Sequence, residues 1–326
     1  MLEPPAHGPH LRPLTFAGAS IPGRGTPWGT LAEIAKVALE PAGYDIEIET
    51  RSFMFNNARF VADGRCDVGF MNLTQLLHAY YGEDAFSVDG PFDHLCLLAL
   101  INHPTWLGVA AKASAEITDL AQVLEERRPL KIRAATGGMV PLVLAYFGWD
   151  DDSLGEFGAV LAPTHDREGS VPVDPQIVEL HREAWATSGD FDLIIDTIYS
   201  GYTPEIHHWH EAAIDHDLDF IALPTDLMAT IAGQRFGTQG VLPRRLVRGL
   251  WYDVAAVQRL PQVVYCRDDL DDDVVTDLVR ALDSNRNLFR TSHLAFSYDQ
   301  VNVARGGVPL HRAAKNYYEA VGFPTA

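Results

Sequence analysis

The sequence contains few cysteines, and they form no disulfide pattern. Only three of its 326 residues are cysteines, Cys66, Cys96 and Cys266. An odd number of cysteines, spread over about 200 residues, does not define the framework of bridges found in small secreted domains. The count fits a reducing compartment and a disulfide-free exported protein equally well.

Long apolar runs are also missing. No run approaches the roughly 18–20 apolar residues that a membrane-spanning helix requires. The first segment, Met1–Pro13, has prolines and histidines where a secretory signal has an apolar stretch. The sequence therefore predicts no membrane insertion. It predicts a cytoplasmic chain, or a periplasmic or otherwise exported one if a signal peptide was removed.

Basic residues are scarce. The chain has 25 lysines and arginines against 44 aspartates and glutamates, a net charge of −19. This charge repels phosphate backbones and argues against a nucleic acid partner. It does not prevent capture of a small anion, because backbone N–H groups at helix starts bind anions locally.

The composition is that of a folded protein with two domains. Apolar residues make up 47% of the chain and charged residues 21%, close to average globular usage. The length suits two lobes of roughly 100–200 residues each. We place lobe 1 at residues 11–105 plus 256–326, lobe 2 at 106–255, and a flexible lead at 1–10.

Strand and helix patterns alternate in both halves, which predicts an α/β fold. An apolar strand pattern at Leu14–Gly18 precedes a helical one at Trp28–Leu39, and the same order returns at Lys131–Ala135 and Pro141–Phe147. Such alternation predicts that each lobe is a mostly parallel sheet flanked by helices. Two further apolar stretches, Leu107–Ala111 and Val263–Cys266, are predicted to pair as hinge strands between the lobes.

One short signature occurs in both halves. Gly64-x-x-Asp67 and Gly189-x-x-Asp192 each lie between a helical segment and an apolar strand pattern. Glycine is common just after a helix because it adopts the left-handed conformation without strain. The repeat predicts two similar supersecondary units.

The densest candidate site is the glycine-rich segment 18–29, between the first strand and the first helix. Glycines let the backbone approach a ligand, and the helix start presents unpaired N–H groups to an anion. Two alternatives are a dinucleotide-binding loop, whose glycine spacing here has one residue too many, and a turn without a ligand. The ligand-binding residues proposed in it are Ala19, Ser20, Arg24, Gly25, Thr26 and Trp28.

Further candidates follow the other predicted strands, because ligand loops of open α/β sheets gather at the carboxyl ends of strands. Each has a structural alternative, as a helix cap or as part of the core. The proposed ligand-binding residues are Ser52, Phe53, Asn56, Met71, Asn72, Thr74, Gly137, Gly138, Met139 and Tyr199. We predict no catalytic residue and no cofactor.

Three other segments carry conspicuous side chains. His207 and His210 would share a helix face, so a metal site is an alternative to a solvated face. The acidic run Asp268–Asp273 resembles a cation site, but capping of the following helix explains it better. The arginine- and glycine-containing segment 233–249 is predicted to be a surface loop.

Taken in order, these segments resemble the TAXI-type solute receptors of TRAP transporters over nearly the whole chain. The motifs that support the resemblance are Leu31-Ala-Glu33-Ile, Asn57 to Phe70, Ile117-Thr-Asp-Leu120, Phe191 to Asp196, Phe220-Ile-Ala-Leu223, Leu270 to Val274, and Val308 to Tyr318. The resemblance implies a two-lobed, type II periplasmic-binding-protein-like fold. It also implies an exported receptor that delivers a small organic acid or amino acid to a membrane permease.

The leading hypothesis is therefore a solute-binding protein that holds a carboxylate-bearing ligand in a cleft between its lobes without chemistry. One alternative is a cytoplasmic enzyme of the decarboxylase or lyase type that uses the histidines near 207–210, with or without a metal. Another is a cytoplasmic metabolite sensor on the same fold. The permease subunits of a TRAP transporter are the protein partners that the leading hypothesis predicts.

Overall fold

The chain divides into two compact units. A computed structural model describes residues 11–18, 27–49, 54–164, 184–200, 207–291 and 295–325. Unit 1 comprises Met1–His103 and Pro261–Ala326, and unit 2 comprises Pro104–Leu260. The chain thus crosses between units at 103/104 and 260/261, against the predicted 105/106 and 255/256. Among the described residues, none of the helices has the length and apolar character needed to cross a bilayer.

Unit 1 is a sheet flanked by helices. Its described strands are β1 (Arg12–Ala17), β2 (Tyr44–Glu49), β3 (Val68–Asn72), β4 (Leu95–Asn102), β12 (Gln262–Arg267) and β13 (Ser297–Asp299). Its described helices are α1 (Pro27–Leu39), α2 (Met54–Ala62), α3 (Leu73–Tyr81), α10 (Asp272–Ser284), α11 (Asn287–Arg290) and α12 (Arg312–Ala320). The strand order is β13-β4-β12-β3-β1-β2.

Unit 2 has the same kind of architecture. Its described strands are β5 (Thr105–Lys112), β6 (Lys131–Ala134), β7 (Val160–Pro163), β8 (Leu193–Tyr199), β9 (Leu218–Phe220), β10 (Gly237–Leu242) and β11 (Val254–Arg259). Its described helices are α4 (Gln122–Glu125), α5 (Val140–Phe147), α6 (Asp151–Gly155), α7 (Ala184–Ser188), α8 (His207–Asp215) and α9 (Thr225–Gly233). The strand order is β10-β11-β5-β8-β6-β7, with β9 beside β5.

The predicted α/β fold class is confirmed, but both sheets are mixed rather than mostly parallel. In unit 1, β1 is parallel to β2 and β3, whereas β12 and β13 run antiparallel to their neighbours. In unit 2, β6 is parallel to β7 and β8, whereas β5 and β11 run antiparallel to theirs. Each unit therefore has one group of three parallel strands.

Both faces of the unit 2 sheet are buried. Along β5, Leu107 and Val109 belong to one apolar cluster, and Trp106 and Ala110 belong to another. Because successive side chains of a strand point to opposite faces, this alternation places a core on each side of the sheet. A strand buried on both sides reads as a continuous apolar run, which is how this segment appears in the sequence.

Two details of the sequence-based topology are corrected. The predicted hinge strands Leu107–Ala111 and Val263–Cys266 do not pair with each other, since β5 lies in the unit 2 sheet and β12 in that of unit 1. Within the predicted loop 233–249, strand β10 pairs with β11. Its first residue, Gly237, has no room for a side chain, since a Cβ would lie 2.4 Å from the backbone oxygen of Gln258. That glycine thus permits close strand contact rather than marking a loop.

The repeated glycine–aspartate signature has the same structural role in both units. Asp67 precedes β3, and its backbone N–H and its carboxylate bond the backbone oxygen and N–H of Thr15 in β1, both at 2.8 Å. Asp192 precedes β8 and bonds Lys131 of β6 in the same way, at 2.7 and 2.8 Å. The glycine three residues earlier has a positive φ in each case, +75° at Gly64 and +71° at Gly189. The pair fixes the register of two parallel strands.

The acidic run after β12 caps a helix, as the sequence predicts. Asp271 is the N-cap residue of α10, and its carboxylate accepts a hydrogen bond from the backbone N–H of Asp273 at 2.8 Å. Asp272 in the first turn also pairs with Arg312 at 2.8 Å. Carboxylates here satisfy free N–H groups and favour the positive end of the helix dipole.

Helix α12 has an unusual cap, a buried histidine. His311 is 1% exposed, and its Nδ1 accepts a hydrogen bond from the backbone N–H of Ala313 at 3.2 Å. Burial lowers the pKa of the imidazole, an effect that Asp272 partly opposes and Arg312 reinforces. Acceptance at Nδ1 requires that this nitrogen carry no proton.

The strand-start aspartates yield a stability prediction. Asp67→Ala and Asp192→Ala each remove a carboxylate that accepts a backbone N–H, so each lowers the free energy of unfolding by about 1–2 kcal/mol. Asp45→Ala, at an exposed position of edge strand β2, is the matched control and leaves it within about 0.5 kcal/mol. Urea denaturation followed by circular dichroism measures the three values. Equal stability of all three variants contradicts the proposed role.

His311 yields a pH prediction. Its pKa is depressed in the folded protein, so the unfolded chain binds the proton first, and this histidine contributes stability that is lost as the pH falls below about 6.5. His311→Asn keeps a cap acceptor but has no titrating group. As the pH is lowered from 7.5 to 5, we expect the free energy of unfolding of the native protein to fall relative to that of the variant. Parallel stability curves contradict the prediction.

Candidate functional site

In unit 1, the carboxyl ends of β2, β1 and β3 lie along one edge of the sheet. The loops that follow β1 and β2 fall in residues 19–26 and 50–53, which lie outside the described residues. Seven predicted ligand residues belong to these loops: Ala19, Ser20, Arg24, Gly25, Thr26, Ser52 and Phe53. They remain predictions.

Three polar side chains meet at this edge. The indole Nε1 of Trp28, in the first turn of α1, donates to Oε1 of Gln262 at 2.9 Å. Gln262 begins β12 and lies opposite Asn72, the last residue of β3. Gln262 is 7% exposed and Asn72 is 2% exposed. Two predicted residues, Trp28 and Asn72, are thus brought together by a third that the sequence analysis did not select.

Asn72 and Thr74 also have local structural roles. The side-chain oxygen of Asn72 accepts from the backbone N–H of Thr74 at 2.9 Å and caps α3. Met71 is fully buried in β3. Asn56, in α2, is half-buried, and its Oδ1 accepts from Nη1 of Arg59 at 3.4 Å.

The first glycine of the glycine-rich segment serves packing. A Cβ on Gly18 would lie 2.7 Å from Cβ of Ala32 in α1 and 3.0 Å from Cγ2 of Ile48 in β2. Its backbone N–H donates to the backbone oxygen of Glu49 at 3.2 Å. Gly18 therefore lets α1 approach the sheet closely, which sets where that helix starts.

In unit 2, the parallel strands β6 and β7 end side by side at Ala134 and Pro163, whereas β8 continues to Tyr199, past Ile195, which lies opposite Ala134. After β6 come Gly137 and Gly138, both exposed, and a Cβ at either position would meet nothing within 4 Å. Gly138 has a φ of +68°. The open space around these glycines leaves their backbone accessible to a small molecule.

The next residue, Met139, has a different environment. Its side chain is 2% exposed and belongs to the apolar cluster on one face of the sheet. It is also the N-cap residue of α5, and no side chain there bonds the first N–H groups of that helix. Pro141 has no N–H, and the N–H of Leu142 already donates to the backbone oxygen of Met139 at 3.1 Å, which leaves the N–H of Val140 at the start of this helix.

Two hydroxyls at the same sheet edge were missed by the sequence analysis. Thr164 follows β7 and is 1% exposed, and Ser200 follows β8. Oγ1 of Thr164 and Oγ of Ser200 are buried and have no hydrogen-bond partner in the described part of the chain. A buried hydroxyl without a partner costs free energy, so such groups are few in folded proteins and mark places where a ligand or water binds. Their position just after two apolar strands is the signal that could have identified them.

Tyr199 ends β8 and lies opposite Thr105 of β5. It is half-buried and packs against the second apolar cluster of unit 2. The neighbouring backbone N–H of Ser200 donates to the oxygen of Pro104 at 2.9 Å. The backbone at the end of β8 is therefore held against the start of β5.

The histidine segment forms α8, which packs on unit 2. His208 is fully buried, with Nε2 3.3 Å from Oδ2 of Asp196 in β8. Trp209 is also fully buried and donates to the backbone oxygen of Thr197 at 3.1 Å. The pKa of His210 is lowered, first by burial and then by the nearby His207 and His208. Nowhere in the described ranges do three possible metal ligands come together, those around His207 and His210 included.

Comparison with known proteins finds only distant similarity. The chain matches no protein-family model and no curated protein. Among solved structures, the glycine/betaine/L-proline-binding protein ProX from Borrelia burgdorferi is 12% identical, with 94% of this chain and 100% of that chain covered and a TM-score of 0.42. Lactococcal OpuAC complexed with glycine betaine is 11% identical, with 95% and 96% covered and a TM-score of 0.41.

A third similar structure is the binding protein of an ABC phosphonate transporter from Pseudomonas aeruginosa, at 11% identity, 89% and 82% coverage and a TM-score of 0.40. ProX and the phosphonate-binding protein are described as components of ABC transporters, and none of the three is described as a component of a TRAP transporter. At such identities and scores they say nothing about what this chain binds. The fold assignment rests on the topology of the two units, and the resemblance to TAXI-type receptors stays a prediction.

The unpaired hydroxyl of Thr164 yields a testable difference between two variants. Thr164→Val replaces the hydroxyl with a methyl group of similar size, so it leaves the ligand-free protein as stable or more stable by up to about 1 kcal/mol. Thr164→Ala leaves a gap and lowers stability by about 1 kcal/mol. Thermal unfolding of the ligand-free protein compares them. A clear loss of stability in the valine variant would show that the hydroxyl has a structural partner.

Proposed function

We propose that the chain is a solute-binding protein that captures a small organic acid or amino acid without transforming it. The observation that carries the proposal concerns the buried hydroxyls of Thr164 and Ser200, which follow parallel strands of unit 2 and have no hydrogen-bond partner among the described residues. Ligands of open α/β sheets bind at this edge. The hydroxyls are therefore donors held ready for a guest rather than for the protein itself.

The donors described at these strand ends are neutral. In unit 2 they are the two hydroxyls, the backbone around Gly137 and Gly138, and the N–H of Val140 at the start of α5. In unit 1 they are the amides of Asn72 and Gln262. Neutral donors and a helix N-terminus hold a carboxylate without burying an opposite charge, whose desolvation costs several kcal/mol. This chemistry supports a carboxylate-bearing ligand.

The proposed ligand residues are those predicted from the sequence at the ends of the parallel strands, extended by Gln262, Thr164 and Ser200. The resemblance to TAXI-type receptors supports export and delivery to the permease of a TRAP-type transporter. Because His208 and Trp209 are packed inside unit 2, an enzyme that uses the histidine segment has no comparable support.

A ligand screen tests the proposal. A ligand that binds only the folded state stabilises it by about 2.7 kcal/mol at a concentration of 100 Kd. We expect at least one compound in a panel of short carboxylic acids and amino acids to raise the unfolding temperature, with no product detectable by mass spectrometry. If no member of the panel raises it, the proposal fails.

The hydroxyls are then tested with the compound identified. Thr164→Val and Ser200→Ala each weaken its binding by roughly 5–10-fold, as expected for loss of one hydrogen bond of about 1 kcal/mol. Thr230→Val is the matched control, because that hydroxyl is on the exposed surface of α9 and bonds the backbone oxygen of Asp226 at 2.9 Å. Unchanged affinity in both test variants, measured by titration calorimetry, would remove these residues from the site.

A further inference from the structure

Unit 2 contains a basic segment, although the chain as a whole is strongly acidic. Between Leu227 and Leu260 there are five arginines and one acidic residue, Asp253, in a protein whose net charge is −19. Three of the arginines, Arg244, Arg245 and Arg248, are exposed in the turn between β10 and β11. None of the three forms an ion pair with a described acidic side chain.

The same turn exposes two aromatic side chains. Trp251 is 74% exposed and Tyr252 is 56% exposed. Of the other tryptophans, Trp28 is half-buried, and the four in unit 2 are each at most 7% exposed. A large apolar ring left in water next to arginines is typical of protein interfaces, where Trp, Tyr and Arg contribute most of the binding energy. We call the exposed side chains of Arg244, Arg245, Arg248, Trp251 and Tyr252 the basic–aromatic surface.

The backbone beneath this surface is held in place by several contacts. The backbone N–H of Arg244 donates to Oδ1 of Asp253 at 2.9 Å, and that of Arg245 donates to the oxygen of Leu250 at 2.7 Å. Val247 and Leu250 are 3% and 1% exposed and anchor the turn in the apolar cluster. The turn is therefore built before any partner arrives, which lowers the entropy cost of binding.

One residue of the turn adopts a strained conformation. Arg245 has a φ of +69°, a region that residues other than glycine rarely occupy and that costs of order 1 kcal/mol. Its guanidinium forms no ion pair with the described acidic side chains that would offset this cost.

We propose that the basic–aromatic surface binds a short acidic segment of a protein partner, with the arginines on its carboxylates and Trp251 on its apolar part. Arginine pairs with carboxylates through two parallel hydrogen bonds, so three arginines suit a segment with two or three carboxylates. This inference does not depend on the identity of the solute.

The number of cations argues for such a segment over other anionic partners. A nucleic acid site commonly neutralises 6–10 phosphates, and basic clusters that bind anionic lipid contain about 4–8 lysines or arginines. Three exposed arginines on a strongly acidic protein are too few for either. The chain's own acidic run is an unsuitable occupant in a second copy, because Asp269, Asp271 and Asp272 already pair with Arg267, Arg12 and Arg312.

The exposed tryptophan supplies the readout. Because Trp251 is far more accessible than the other tryptophans, it dominates quenching of the protein's fluorescence by acrylamide. The probe is a short glutamate-rich peptide without tryptophan, and its control is the same peptide with glutamine in place of glutamate. We expect the glutamate peptide to lower the quenching constant, because binding covers the Trp251 ring, and the glutamine peptide to leave it unchanged. Trp251→Phe should remove the effect.

Charge variants locate the site. Arg244→Gln with Arg245→Gln weakens binding of the glutamate peptide by roughly tenfold. The matched control, Arg286→Gln with Arg290→Gln in unit 1, changes the net charge equally and leaves binding unchanged. Both pairs of variants should keep the native unfolding temperature, which separates lost binding from lost folding.

Several results would overturn the proposal. The first is equal protection of Trp251 from acrylamide by the glutamate and glutamine peptides. The second is an equal loss of peptide binding in both pairs of arginine variants. The third is protection of Trp251 by phosphatidylglycerol vesicles but not by the glutamate peptide. Concentration-dependent dimerisation in sedimentation that the Arg244→Gln, Arg245→Gln variant abolishes would assign the surface to a second copy of the chain instead.

Discussion

The arrangement of each unit depends on one aspartate that joins the starts of two parallel strands. Asp67 and Asp192 each use a backbone N–H and a carboxylate to hold both backbone groups of a single residue in the neighbouring strand. Parallel strands have no tight turn to set their register, so a contact at their starts must do so. Once the starts are aligned, the strand lengths determine where the carboxyl ends fall. The glycine three residues before each aspartate lets the preceding helix end there, because it adopts a positive φ without strain.

Alignment at the starts of the strands explains why polar groups meet at their ends. In unit 2, β6 is held to β8 from Lys131 onward, and β7 pairs with β6 in register. Thr164 therefore lies level with Ala135, just before the glycines after β6, and Ser200 follows the longer strand β8, which runs further in the same direction. In unit 1, antiparallel β12 starts at the edge where β3 ends, which brings Gln262 to Asn72 and Trp28. A polar cluster of this kind is a product of topology.

A feature could be predicted from the sequence when it depends on residues close in the chain, and not when it depends on distant ones. Local signals were sufficient for the α/β class, for the capping by Asp271, and for the repeated glycine–aspartate signature, because each depends on residues close in the chain. Gln262 and Thr164 escaped notice because their importance arises from neighbours distant in sequence. Gly237 was misread because a glycine in close strand contact and a glycine in a loop look alike without the partner strand. The mixture of parallel and antiparallel strands was not predicted, because apolar patterns do not encode the direction in which a strand runs.

Basic residues are outnumbered by acidic ones in this chain, so it is informative to ask what each arginine contacts. Several arginines serve the fold directly. Arg59 pairs with Asp89 at 2.6 Å, Arg133 with Asp190 at 3.1 Å, and Arg267 donates to the backbone oxygen of Val61 at 2.9 Å. The arginines of the basic–aromatic surface form no ion pair with an acidic side chain in the described part of the chain, although Arg248 donates to the backbone oxygen of Ile214 at 3.1 Å. Salt screens their repulsion or attraction by charges more than about 10 Å away. The two proposals thus assign two kinds of recognition to different parts of the chain. A small ligand is proposed to bind to neutral donors at the strand ends, and an acidic segment of a partner to the exposed arginines of the basic–aromatic surface.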